Sequence, residues 1–275
     1  MADKQEAGGT AEGQQAGGGG APKGFGPDRA KEVLGPQGGA KREVFPPQTV
    51  DAQPIVGGEP TTDFPDCCAV GSDEGFYCTG TLIAPNLVVT ARHCTDVTRV
   101  FLKGSDVSKP EQGLIVEVLK EVAHPEYDIR FLVLKSAVDV KPRRVARGSE
   151  VGNPKEALAV GFGTIDTDGE IGYGIKRKVK VPIASVGCSS SADVKKFGCN
   201  QGKEVVAGHK GLLKDSCRGD SGGPLYIKNS QGSYSLLGAT SRGLGNTQNV
   251  CGDGGIYVRV DQFLDWVHEQ TGIKV

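Results

Sequence analysis

The sequence predicts an all-β fold, a barrel or a sandwich, carried by the chain from Ile55 onward. Three observations predict it. Short apolar runs recur along that part of the chain, each about as long as one strand or one hairpin. Gly, Pro, Asn and Asp punctuate them. The composition also disfavours helix, since 42 of the 275 residues are Gly and only one is Met.

Taken in chain order, residues 1–54 differ from everything that follows. They hold 12 Gly and 6 Pro and few large apolar side chains. Such a segment buries too little surface to offset its ordering entropy, so it is expected to be disordered, with a short helical turn around Asp28–Leu34. It reads as a propeptide, a spacer or a tail without a role. Beyond it, Thr81–Ala91, Gly113–Ala123, Ile129–Val138, Ala157–Thr164, Lys176–Val186 and Tyr234–Thr240 read as strands or hairpins. The last segment, Val260–Gly272, reads as a helix with Val260, Phe263, Leu264 and Val267 on one stripe. Asp261 is placed to cap its start and Gly272 its end. No internal repeat is visible.

Charge excludes some classes of partner. Lys and Arg (32) nearly balance Asp and Glu (33), giving a net charge of −1. Bulk attraction to nucleic acid or to a membrane surface is therefore not expected. No apolar run reaches the roughly 18 residues that span a bilayer. The eight cysteines are even in number and contain no CxxC pair, which favours disulfides over a metal site or free thiols. Disulfides imply an oxidising compartment, so a secreted or periplasmic location is expected. The opening MADKQEAGGTAEGQQAGGGG shows no apolar stretch of a signal peptide, and the export route is not given.

Chemistry concentrates in Asp215-Ser-Cys-Arg-Gly-Asp-Ser-Gly-Gly-Pro224. A serine hydroxyl becomes a useful nucleophile only when a base takes its proton. Glycines beside Ser221 allow positive φ and close approach of a substrate. The N–H groups of Gly219 and Ser221 can then face one oxyanion, an effect worth about 3–4 kcal/mol per donor. His93 follows the apolar run Leu87–Ala91, and Asp128 precedes the run Ile129–Leu134. His124, His209 and His268 lack such context and read as solvated or packing imidazoles.

Gly219–Pro224, Thr90-Ala-Arg-His-Cys94 and Ile55-Val-Gly-Gly58 together resemble the trypsin/chymotrypsin family, over about four-fifths of the chain. The resemblance implies two six-stranded antiparallel β-barrels within residues 55–275, with a boundary near 150 and a catalytic cleft between them. It implies a serine endopeptidase with Ser221 as nucleophile, His93 as base, Asp128 orienting the base, and Gly219 and Ser221 forming the oxyanion hole. Asp215 becomes the floor of the primary pocket and Gly243 and Gly255 its walls, so Arg or Lys is expected before the cleaved bond. Ser241–Gly243 becomes the segment that pairs with substrate backbone. The family usually has Trp where this chain has Arg242. A cation there is expected to disfavour basic residues in the neighbouring subsite. Two further departures surround the acid: the loop leading into Asp128 is short, and Arg130 stands where a small residue is common.

The resemblance also pairs Cys78 with Cys94 and Cys217 with Cys251. Four cysteines remain, with three pairings open. Cys188–Cys199 closes a short loop and is the expected one, which leaves the adjacent Cys67 and Cys68, for which a vicinal bridge is one option. Activation in the family frees the α-amine of the residue at Ile55, which pairs with Asp220 and orders the pocket. Gln53-Pro54 precedes that bond, and no trypsin would cut there efficiently. The 275-residue chain is thus expected to be a weakly active precursor matured by another peptidase, or by trimming from a cut near Lys41-Arg42. No cofactor or metal is expected. The expected partners are peptide or protein substrates, an activating peptidase and a protein inhibitor, with no nucleic acid, for a monomer. Competing readings are a catalytically silent binding module on the same fold and a protease with a single regulatory substrate.

Overall fold

The structure, a computed structural model, describes residues 56–275 except 230 and 246. The helical turn expected at 28–34 and the activation residue Ile55 lie outside the described residues.

Thirteen strands form two closed units. β2 (Cys67–Ser72), β3 (Gly75–Ala84), β4 (Leu87–Thr90), β5 (Arg99–Leu102), β6 (Leu114–Ala123) and β7 (Arg130–Leu134) close in the order β2-β3-β4-β7-β6-β5. β8 (Glu156–Gly161), β9 (Arg177–Ser185), β10 (Glu204–Ala207), β11 (Pro224–Lys228), β12 (Tyr234–Gly243) and β13 (Gly255–Arg259) form the second unit, closed by the pairing of β8 with β9. β1 (Glu59–Pro60) adds to the outer edge of β9. All the strand-to-strand ladders are antiparallel, so the two six-stranded barrels implied by the resemblance are present.

The strands nearest the seam explain why the apolar runs were continuous and not alternating. Successive side chains on a strand point to opposite faces. In β4, Val88 enters the core of the first barrel while Leu87 and Val89 enter a third core between the barrels. In β8, Ala157 and Ala159 face the second barrel, and Leu158 and Val160 face the seam. Both faces are buried, so Leu87–Val89 and Ala157–Val160 are apolar throughout. The same alternation answers the cysteine question. Cys67 and Cys68 are free and buried, the first in the seam and the second inside barrel one. Their side chains diverge across the strand, so the vicinal bridge is not formed.

One buried polar cluster ties the barrels together. Asp66 accepts from Arg143 Nε (2.9 Å) and from Tyr226 OH (2.6 Å). Arg143 lies on the segment crossing between barrels, and Tyr226 on β11. A buried carboxylate with a guanidinium and a hydroxyl on it is satisfied, and the pair fixes how the barrels meet.

Among the described residues two α-helices flank the barrels. α1 (Ser191–Phe197) was not foreseen. Ser190 caps it by accepting from Asp193 N (3.0 Å), and Gly198 ends it in the left-handed conformation. The C-terminal helix begins as a 3-10 turn over Val260–Phe263 and continues as α2 (Leu264–Thr271). Its expected stripe is buried. The expected cap is not formed, because Arg259 takes the Asp261 carboxylate (3.0 and 2.7 Å). Gly272 does close the helix, with its N–H on His268 O.

Candidate active site

β4 and β7 are antiparallel neighbours with Thr90 opposite Arg130. His93 lies three residues beyond Thr90, and Asp128 two before Arg130. The register therefore brings both to one rim of the first barrel. The Asp128 carboxylate accepts from His93 Nδ1 at 2.9 and 3.0 Å, from the His93 backbone N–H at 3.1 Å and from Ser241 Oγ at 2.7 Å. Three donors on one carboxylate fix both its position and the imidazole tautomer, with the proton on Nδ1.

Electrostatics follow from this geometry. Burial tends to raise the Asp128 carboxyl, but the His93 charge and the His93 and Ser241 hydrogen bonds outweigh it and hold the group below its ordinary value. Burial likewise opposes an imidazolium at His93, and Asp128 outweighs it, so His93 is raised. Arg130, the unexpected residue beside the acid, donates to Arg92 O (2.9 Å) and pairs with Glu121. It clasps the histidine loop and works slightly against the imidazolium.

Ser221 comes from the second barrel and is held against the first. Thr79 N–H donates to Ser221 O at 2.9 Å, and that oxygen lies 3.7 Å from Sγ of Cys94, the residue after His93. Cys94 is bridged to Cys78. Gly222, with φ of +78°, donates to Thr240 O (2.8 Å), and a Cβ there would press on Ala91 N and Thr90 Oγ1. Only glycine permits this approach. The peptides around the serine are also oriented. Arg218 O accepts from Thr164 N (2.8 Å), which turns the Gly219 N–H the opposite way. Asp220 O accepts from Gly223 N (2.7 Å), which does the same for the Ser221 N–H.

Asp215 is buried, 3% exposed. It accepts from Tyr257 OH (3.1 Å) and Ser216 Oγ (3.3 Å). None of the described lysines or arginines forms an ion pair with it. Burial pushes its carboxyl up to about 7. A Cβ on Gly255 would stand 3.5 Å from both carboxylate oxygens, while one on Gly243 would meet nothing within 4 Å. Glycine at 255 therefore leaves no side chain against the carboxylate oxygens.

Arg242 is not the free cation expected from the sequence. Its Nη atoms donate to both oxygens of Glu204 at 2.8 Å, and the two side chains are 6% and 1% exposed. Its charge is neutralised within the wall of the cleft. Sequence reasoning missed Glu204. The one local hint was an acid inside the otherwise apolar strand Glu204–Ala207, where it needs a partner.

Asp220 is buried and accepts from Gly163 N and Cys217 N, each at 2.8 Å. Burial pushes it up to about 6 despite those two donors and the Arg177 charge. Cys217 is bridged to Cys251 and Cys188 to Cys199. His124, His209 and His268 hold loop and helix ends through Nδ1. Among the described residues no group of three or more His, Cys, Asp and Glu could hold a metal, and no helix is long and apolar enough to cross a membrane.

Comparison with known proteins agrees with this geometry. The family model described as Trypsin matches residues 55–267. The chain is 32% identical over 235 residues to a trypsin of Saccharopolyspora erythraea, covering 78% of this chain and 97% of that one. It is 31% identical over 238 residues to Trypsin 5G1 of Aedes aegypti, covering 80% and 85% respectively.

Proposed function

The chain belongs to the trypsin family of serine proteases, and on that premise we propose that it is an endopeptidase cutting after Arg or Lys through an acyl-enzyme on Ser221. His93 Nε2 takes the Ser221 hydroxyl proton as Oγ adds to the scissile carbonyl carbon. The Gly219 and Ser221 N–H groups receive the oxyanion. Collapse expels the amine, which leaves with the proton from His93. Water then repeats the sequence against the ester and frees the acid. Asp128 stays ionised throughout and stabilises the imidazolium.

The observation that carries this reading is the Asp128 carboxylate on His93 Nδ1, with the Ser221 carbonyl fixed beside the next residue, Cys94. The Arg or Lys preference is supported by Asp215, a buried carboxylate that no described lysine or arginine pairs with, beside the bare backbone of Gly255. Ser241–Gly243 offers its backbone to the substrate as an added strand. Three disulfides support work outside the cytosol; the reading further takes the chain as a monomer acting on protein substrates and matured by a separate peptidase.

Labelling with an active-site phosphonate, before and after removal of residues 1–54, tests the reading. Ser221 should be labelled and Ser221→Ala should not. Absence of label on Ser221 in both forms would turn the assignment to a silent binding module. A peptide library then reads the residue before the cut, and a preference other than Arg or Lys would remove the role of Asp215.

A further inference from the structure

A chain of hydrogen bonds runs from the wall of the second barrel to the catalytic pair. Glu204 holds Arg242 by both oxygens, and its own position is fixed by Asn200, whose backbone N–H and Nδ2 donate to it at 2.7 and 3.0 Å. Arg242 Nη2 also donates to Gly198 O (3.1 Å) and Nη1 to Ser241 Oγ (3.3 Å). Ser241 Oγ in turn lies 2.7 Å from Asp128 Oδ2. Donor chemistry gives this chain a direction. A guanidinium only donates, and a hydroxyl has one proton and two lone pairs. With Nη1 on one lone pair, the Ser241 proton cannot turn toward Arg242. It is directed to Asp128.

We propose that Arg242, clamped by Glu204, is a positioning residue that locks the Ser241 hydroxyl as a donor to Asp128 and so sets the strength of the Asp128–His93 pair. The inference rests on the protease reading above. Glu204 has two tasks in it: it holds the guanidinium in one orientation and cancels its charge, so the clamp adds no net cation beside His93. The Cys188–Cys199 loop is part of the device, because Gly198 and Asn200 flank Cys199 and both touch the pair.

The sign of the effect is fixed. A hydroxyl donating to Asp128 draws on the charge that would otherwise act on the imidazolium. Releasing that hydroxyl strengthens the attraction, and His93 should titrate at higher pH. The double variant Arg242→Met/Glu204→Gln removes the clamp without changing net charge. Arg130 with Glu121, Arg92, Glu126, and Lys203 over the Tyr127 ring remain as they were.

His93 is followed by the proton NMR titration of its imidazole C–H, and by the acid limb of kcat/KM on an Arg peptide. The double variant should raise the His93 midpoint by about half a pH unit and lower kcat about threefold to tenfold, with KM within twofold. Ser241→Ala should give the same shift, and the double variant made in the Ser241→Ala background should add nothing. An unchanged His93 midpoint, or a shift that persists undiminished without Ser241, overturns the proposal. If the double variant fails to fold, Arg242→Lys replaces it. That side chain keeps a charge for Glu204 but loses the fork that also reaches Ser241, and the same upward shift is expected at an unchanged thermal midpoint. If the wild-type protein cuts no peptide while these variants still show the titration shifts, the protease reading is overturned and the clamp stands.

Discussion

Burial, with no ion pair to any described lysine or arginine, leaves the Asp215 carboxyl at about 7 despite hydrogen bonds from the Ser216 backbone and from the Tyr257 and Ser216 hydroxyls. A substrate guanidinium or a small amidinium ligand needs the ionised form. Binding should therefore strengthen as pH rises through 7, and from pH 5.5 to 8 the gain should be about 30-fold for a group titrating there. Calorimetry with an aryl amidine measures this directly, and Asp215→Asn should flatten the dependence as well as weaken binding. A dependence that survives in Asp215→Asn would place the titrating group elsewhere. The same argument makes Asp215 costly to an empty site. Its native form holds a proton that the unfolded chain loses near 4, so its contribution to stability falls as pH rises from about 4 to about 7. Residues of this kind were readable from sequence because the chemistry restricts their type and flanks. Glu204 and Arg242, or Asp66 and Arg143, were not, because each pair is made by strands distant in sequence and neither partner has a local signature.

Elements were legible where burial on both faces left an unbroken apolar run, as in β4 and β8. The short strands β10, β11 and β13 were harder, since four or five residues bounded by Gly, Pro or charges carry little periodicity. α1 carries no buried side chain at all, so it has no apolar stripe to detect, and only Ser190 and Gly198 mark its ends. What holds α1 in place is the bridge across it, Cys188–Cys199, at a sequence separation of 11. Closing a loop of that size restricts the unfolded chain by about 3 kcal/mol. Cys188→Ala/Cys199→Ala should lose about that much in urea unfolding. Because Gly198 and Asn200 bind the Arg242–Glu204 pair, it should also lower activity more than a cut in any distal loop. A variant that loses stability but keeps full kcat would confine the bridge to a structural role.

On the scale of the whole molecule, the two barrels supply halves of a site that Asp220 must bring into register. Val56 is already seated beside the pocket: its carbonyl accepts from Asp215 N (3.3 Å), and its side chain packs on the Cys217–Cys251 bridge. Asp220, buried and raised to about 6, has two amide donors and the Arg177 charge, which do not offset its burial. A chain beginning at Ile55 would offer an α-amine, ordinarily near 8, one residue from Val56. Pairing would lower Asp220 and raise the amine. The carboxylate's share of the stabilisation is then full above about 6 and is lost as pH falls below it, and the amine's share is lost as pH rises from about 8 through its raised value. The advantage of residues 55–275 over the full chain should therefore be greatest between about pH 6 and 8. Breaking a buried pair costs about 3–5 kcal/mol, so the gain in kcat/KM should be at least about 100-fold. Hydrolysis of an arginine ester by both forms, with N-termini verified by sequencing, measures it. Asp220→Asn should erase the difference by removing the charge that the amine seeks. An intact 275-residue chain as active as the shortened one would mean that Asp220 is ordered by its amide donors and Arg177 alone, and that cleavage before Ile55 does not control the site.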